Sequence, residues 1–120
     1  MSAGPTGAEV VLVTDGEARA ALAATRSLGR RGYEVHVASA DGRSLAGSSR
    51  YAREDHALGD PGADPREWSE RLAALVQRLA AAAVLPVSEV SLGSCYRFGL
   101  DRDPRVICPP RECYERAVDK

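Results

Sequence analysis

The sequence predicts an α/β fold: a three-layer α/β/α sandwich around a mostly parallel sheet of four to five short strands. Three observations carry that expectation. Continuous apolar runs rich in β-branched residues fit strands buried on both faces. Amphipathic stretches at helical spacing separate those runs. The connections are short, and alternation of this kind is the signature of parallel β-α-β units. The 120 residues suit one domain and can hold a core without disulfide staples.

Each element has a local reason. Residues 9–14, EVVLVT, read as the first strand. In the following stretch Ala18, Ala21, Leu22, Thr25, Leu28 and Gly29 share one helical stripe, with Asp15 expected as N-cap and Gly32 as the stop. Gly29 on that stripe suggests close approach to the sheet. YEVHVAS, 33–39, is the second strand, which gives a right-handed parallel crossover. Residues 40–54 read as a loop with one helical turn near 44–48, and 54–58 as a short edge strand. GDPGAD, 59–64, is turn chemistry. The clearest helix starts at Asp64, with Pro65 at N1 and Glu67 completing a capping box. Trp68, Leu72, Leu75, Val76 and Leu79 form its apolar stripe, and it is expected to run to about Ala81. AVLPV, 83–87, is a fourth strand, and Ser88 caps a weaker helix. RVIC, 105–108, is a fifth short strand, and Pro110 opens a last helix.

Composition excludes several functions. The net charge is −1 with signs mixed along the chain, so no basic stripe is present to neutralise phosphates of nucleic acid. No polybasic segment suits an anionic membrane, and the longest apolar run, residues 79–85, is too short to span one. Residues 1–8 lack a basic start and an apolar centre, and read as a flexible tail rather than a secretory signal. The domain is expected over residues 9–120, in the cytoplasm. Cys95, Cys108 and Cys113 are odd in number and form no CxxC, which fits small structural thiols.

In such sheets ligands bind beyond the carboxyl ends of the strands. Three loops therefore matter: 14–19, 39–44 and 87–91. The first has one glycine, Gly16, and neither G-x-G-x-x-G nor a P-loop occurs. Asp15 and Glu17 would repel phosphates. Glu89 is a carboxylate at a strand end, suited to orienting a polar or cationic ligand; a solvated first-turn residue is the plain alternative. Arg43 and Ser44 together suit an anion; an exposed loop arginine is the plain alternative. His36 and His56 show no nucleophile or carboxylate partner in register and are assigned to structure. No catalytic triad is legible and no metal is assigned.

The segments VLVTDGEARAALAATRSLGRRGYEVHVAS, SLAGSSRY and LPVSEVSL, in that order and spacing, resemble the N-terminal, Rossmann-like preATP-grasp domain of ATP-grasp carboxylate–amine ligases and carbamoyl-phosphate-synthase relatives. The resemblance covers about residues 9–120. It implies that the loop ends at Asp15, Gly16, Ser88 and Glu89 help bind a small acceptor substrate. In this family the last helix commonly ends in an Asp-Lys pair leading into the ATP-grasp module, and the lysine can reach the nucleotide phosphates. Here that pair is Asp119-Lys120. The resemblance thus implies a partner module in cis, ATP and Mg²⁺ in the parent enzyme, and no catalysis by this segment alone. The sequence departs from the family where RLAAAAVLPV runs without the usual loop and where RFGLDRDP replaces a longer helical segment. A bared docking surface would favour a homodimer. The other reading is a stand-alone binding or interaction module of the same shape. A phosphoacceptor variant of that reading is disfavoured, because the only lysine is Lys120.

Overall fold

The computed structural model describes residues 7–118. Residues 1–6 of the expected tail and the Asp119-Lys120 pair lie outside the described residues. The strands are β1 (Val10–Val13), β2 (Glu34–Ser39), β3 (Ala52–Ala57) and β4 (Ala83–Leu85). The helices are α1 (Arg19–Arg30), α2 (Pro65–Leu79), α3 (Glu89–Arg97) and α4 (Arg111–Val118). All strand pairs are parallel, in the order β3-β2-β1-β4. The chain therefore builds outward from β1 to β3 and then returns to the other side of β1. That reversal places a topological switch between β1 and β4. Among the described residues no helix is long and apolar enough to cross a membrane.

Burial on both faces explains the apolar runs. Val13, Val35 and Val37 pack with Ala21 of α1 on one face. Val10, Leu12 and Ala38 pack with Trp68, Leu72, Leu75 and Val76 of α2 and Cys95 of α3 on the other. At about 25 cal/mol per Å² of apolar surface, these two layers are the main favourable term in folding.

The expected fifth strand shrinks to a single pairing. Val106 lies parallel to Val84, with the Val84 N–H donating to Arg105 at 2.8 Å and the Ile107 N–H donating to Val84 at 2.8 Å. On one side Asp103 takes the Arg105 N–H at 2.9 Å. On the other, Pro109 and Pro110 have no N–H to donate, so the ladder ends.

β2 and β3 are neighbours joined by only twelve residues, 40–51, with a single 3₁₀ turn at Ala46–Ser48. Asp55 on β3 holds this helix-free crossover. Its carboxylate accepts from Ser39 Oγ, Ser44 N and Ser44 Oγ, each at 2.7 Å. Gly29 of α1 approaches Tyr51 in this segment rather than the sheet itself.

Helix ends follow and depart from expectation in instructive ways. α1 begins at Arg19 after Ala18, with no side-chain cap, so Asp15 does not cap it. Gly32, at φ 93, stops the helix as expected. Asp64 caps α2 through the Glu67 N–H at 3.1 Å. The reciprocal half of the capping box is absent, because Glu67 pairs with Arg71 at 2.6 Å and the Asp64 N–H donates to Asp60. α2 ends at Leu79, two residues earlier than expected. There the exposed Ala80 occupies the left-handed position at φ 51, while the Ala81 N–H donates to Val76 and the Ala80 N–H to Gln77. That is the helix-ending geometry that favours glycine.

An L-residue in that conformation costs about 1 kcal/mol relative to glycine. Ala80→Gly should therefore raise the unfolding free energy by about 0.5–1 kcal/mol in urea denaturation, with an unchanged denaturant slope.

Candidate functional site

A cleft of about 340 Å³ opens at the carboxyl ends of the strands, lined by Asp15, Glu17, Ser39, Asp60, Trp68 and Ser88 among others. Its size suits a small molecule. It is built by the loops after all four strands, where the sheet order predicts a ligand site.

The sharpest feature is the Asp15 carboxylate. Asp15 follows β1 at φ 58, a left-handed conformation that Asp tolerates better than most residues. Its Oδ1 accepts from Ser88 Oγ and Ser91 Oγ, both at 2.8 Å. Its Oδ2 accepts from the Val87 and Ser88 N–H groups, both at 3.2 Å, and from the neighbouring Thr14 hydroxyl. Buried Thr14 adds a second link, because its Oγ1 accepts from the Val87 N–H at 3.1 Å. The end of β1 is thus laced to the end of β4 and the start of α3. A carboxylate at a helix N-terminus also complements the helix dipole. Ser88 itself caps α3 by accepting from the Ser91 N–H at 3.1 Å.

This arrangement decides what the cleft accepts. The N-terminus of α3 is a natural anion site, but the Asp15 carboxylate already sits against it, on the Val87 and Ser88 N–H groups that lead into the helix. The same holds across the cleft, where Glu17 accepts the Ala40 N–H at 2.6 Å. Asp60 accepts the Gly62 N–H at 2.8 Å through one oxygen. Three carboxylates therefore face one space, and neither Lys nor Arg is among its lining residues. The walls repel phosphate and attract a cationic or hydrogen-bond-donating ligand.

The expected site residues separate into two groups. Asp15 and Ser88 come together at the cleft. Gly16 is buried behind it and bonds through its backbone to Ala38 and Ala46, each at 2.9 Å. A side chain at this position would run into Ser44 and Val37, so Gly16 serves packing. Ser44 spends its N–H and its hydroxyl on Asp55, so it forms no anion pair with the exposed Arg43. Glu89 is exposed on α3 away from the lining, with its carbonyl accepting from Tyr114 OH at 3.2 Å. Lys120 lies outside the described residues. Asp60 and Trp68 also face the cleft, which their local sequence does not signal. The first sits in turn chemistry and the second on the apolar stripe of α2; only the return of the 59–62 loop to the strand ends brings them in.

The two histidines also depart from expectation, since both have carboxylate partners. His36 Nε2 lies 2.9 Å from Glu34 Oε2, and His36 Nδ1 lies 2.9 Å from His56 Nε2. His56 Nδ1 is 3.6 Å from Glu54 Oε2. In each strand the glutamate stands two residues before the histidine, on the same face of the sheet. The thiols are free: Cys95 is buried, Cys108 half-buried and Cys113 exposed. Burial pushes the Cys95 thiol up to about 12.

No protein-family model and no curated protein matches this chain.

Two outcomes follow. Asp15→Ala removes the acceptor of several donors at once and should cost about 3 kcal/mol in chemical denaturation, whereas Asp15→Asn, which keeps the shape and one acceptor, should cost about half as much. A thiol at about 12 is thiolate in only about one molecule in ten thousand at pH 8. Iodoacetamide at pH 8, followed by mass spectrometry, should therefore modify Cys113 first and Cys95 only after denaturation.

Proposed function

We propose that this chain is the acceptor-side domain of an ATP-grasp ligase, and that the cleft at its strand ends binds a small amine-bearing substrate. The observation that carries this reading is the charge of the cleft. Asp15, Glu17 and Asp60 line it without a basic neighbour in the lining. Glu17 and Asp60 each commit one oxygen to a backbone N–H and keep the other for a ligand. A protonated amine placed between them would gain charge-assisted hydrogen bonds, which are stronger than neutral ones.

The resemblance of residues 9–120 to preATP-grasp domains supports the same assignment. So does the strand order, which sets the cleft at the β1/β4 switch. ATP, alone or as its Mg²⁺ complex, finds no phosphate site in this cleft. The Asp15 carboxylate already sits against the helix N-terminus that could hold a phosphate, and no basic residue lies in the lining to meet one. Those ligands belong to the ATP-grasp module, where the family converts a carboxylate to an acyl phosphate before an amine displaces phosphate. On this reading the present domain holds the amine, and its rigid strand ends aim it.

Trp68 is the only tryptophan and lines the cleft, so its fluorescence reports binding. Titration with a panel of small amines and amino acids should give a saturable change for at least one member, while inorganic phosphate and ATP give none. Glu17→Gln and Asp60→Asn should each weaken that binding about tenfold, the equivalent of about 1.4 kcal/mol. A response to ATP or phosphate with silence toward every amine would refute the assignment.

A further inference from the structure

The β2–β3 seam carries a second, unrelated group of polar side chains. Glu34, His36, His56 and Glu54 form one chain of contacts on the sheet face covered by α2. His36 and His56 are buried, at 4% and 7% exposure, as is Glu34. The two rings stack with centroids 5.2 Å apart and planes 24° from parallel. Pairing of β2 with β3 sets His36 opposite Glu54 and Ala38 opposite His56, after a register shift between Val35 and His36.

Proton counting shows what this chain lacks. Two neutral imidazoles carry two N–H protons. The chain has three junctions that call for one: Glu34 to His36, His36 to His56, and His56 to Glu54. If His36 donates to Glu34, its Nδ1 is a bare lone pair, and His56 must spend its proton there. His56 Nδ1 is then a lone pair facing the Glu54 carboxylate. A metal ion between the rings resolves the count. The His36 ring proton then stays on Nε2 facing Glu34, the His56 ring proton moves to Nδ1, and both inner nitrogens become ligands. A carboxylate behind a ligating imidazole is the usual supporting arrangement at metal sites.

We propose that His36 Nδ1, His56 Nε2 and the Glu54 carboxylate bind a divalent transition-metal ion of the zinc class, with Glu34 orienting His36 from behind. The geometry is close to what such an ion requires. Ligand atoms of His36, Glu54 and His56 all lie within 4.8 Å of one another. Metal–nitrogen bonds of about 2.0–2.1 Å in a tetrahedral site set the two nitrogens about 3.3 Å apart. The present separation is 2.9 Å, so the rings need to part by only a few tenths of an ångström. Glu54 has a 65% exposed side chain and is free to turn inward. An opening between β3 and α2, lined by Glu54, His56, Arg71, Leu75 and Arg78 among others, gives access from solvent. Two glutamates balance the dication, and Arg78 is the opposing charge. Binding displaces the one proton held between the rings. The ion would fasten edge strand β3 to β2. The inference stands apart from the amine cleft and does not depend on it.

The test uses the full chain, stripped with chelator and titrated with Zn²⁺ by calorimetry. One equivalent should bind with a Kd of about 1 μM or lower. His36→Ala and His56→Ala should each weaken binding at least about a hundredfold, and Glu34→Gln about tenfold. Replacement of Cys108 and Cys113 by serine should leave it unchanged. Should a histidine variant fail to fold, imidazole ¹⁵N spectra of the unaltered chain decide. Zn²⁺ should shift His36 Nδ1 and His56 Nε2 together and leave the outer nitrogens protonated. Absence of binding, binding lost only in the cysteine variants, or histidine signals unmoved by saturating Zn²⁺ would each overturn the proposal.

Discussion

One carboxylate fixes the functional end of this fold. Asp15 stands where β1 ends, and its carboxylate accepts four hydrogen bonds from residues 87–91. A parallel sheet needs such a joint. β1 and β4 are sequence-distant, paired along only three residues, and meet where the strand order reverses. Hydrogen bonds from hydroxyls and N–H groups to an ionised acceptor are stronger than neutral ones, and the position is half-buried, where their loss is felt. The same contacts fill the helix end that would otherwise attract an anion. The joint between the strand ends and the charge of the adjoining cleft therefore share one residue. The interaction that holds the switch together also makes the adjoining cleft acidic.

The opposite edge of the sheet is held by a comparable device. Asp55 collects three donors from Ser39 and Ser44 and so keeps a twelve-residue crossover close to the sheet without a helix. Central β1 is buried along its whole length and needs no polar help, since Val10, Leu12 and Val13 pack into the two apolar layers. Polar fastening appears where the apolar layers thin out: at the β1/β4 switch, at the crossover, and in the Glu34–His36–His56–Glu54 chain. Edge strand β3, AREDHA, is the most polar strand, and its side chains do the fastening.

The architecture was legible because it rests on local regularities. β-branched runs marked β1 and β2, helical spacing marked the buried face of α2, and Ser88 and Asp64 marked two helix starts that the structure confirms. The failures share a cause. Asp15 precedes α1 in sequence, so local reasoning made it the cap of that helix, but the helix it serves is α3, more than seventy residues away. Nothing within a short window distinguishes the two. The segment 105–108 has strand composition, yet Asp103 and the Pro109-Pro110 pair leave it one pairing. Ser44 and Arg43 form a plausible anion pair on paper until Asp55, eleven residues on, claims the serine. The histidine partners, by contrast, were readable. Glu-x-His occurs in both strands, and a period of two puts each pair on one face.

On the proposed ligase reading, the acidity of the cleft bears on how labour would divide between domains. A site that must hold both a nucleotide and an amine has to reconcile four negative phosphate charges with the carboxylates that recognise an ammonium. Placing the two functions on separate domains removes the conflict. Like charges brought within a few ångströms in a partly dry cleft repel by several kcal/mol at an effective dielectric of about 20. Here the carboxylates of Asp15 and Glu17 already hold the backbone N–H groups at 88 and 40. The cleft could not be converted to phosphate binding by adding a single arginine. Both anchors would have to be removed, and with Asp15 would go the joint between β1 and α3. Its electrostatic preference is therefore fixed by the same contacts that hold the strand ends in place.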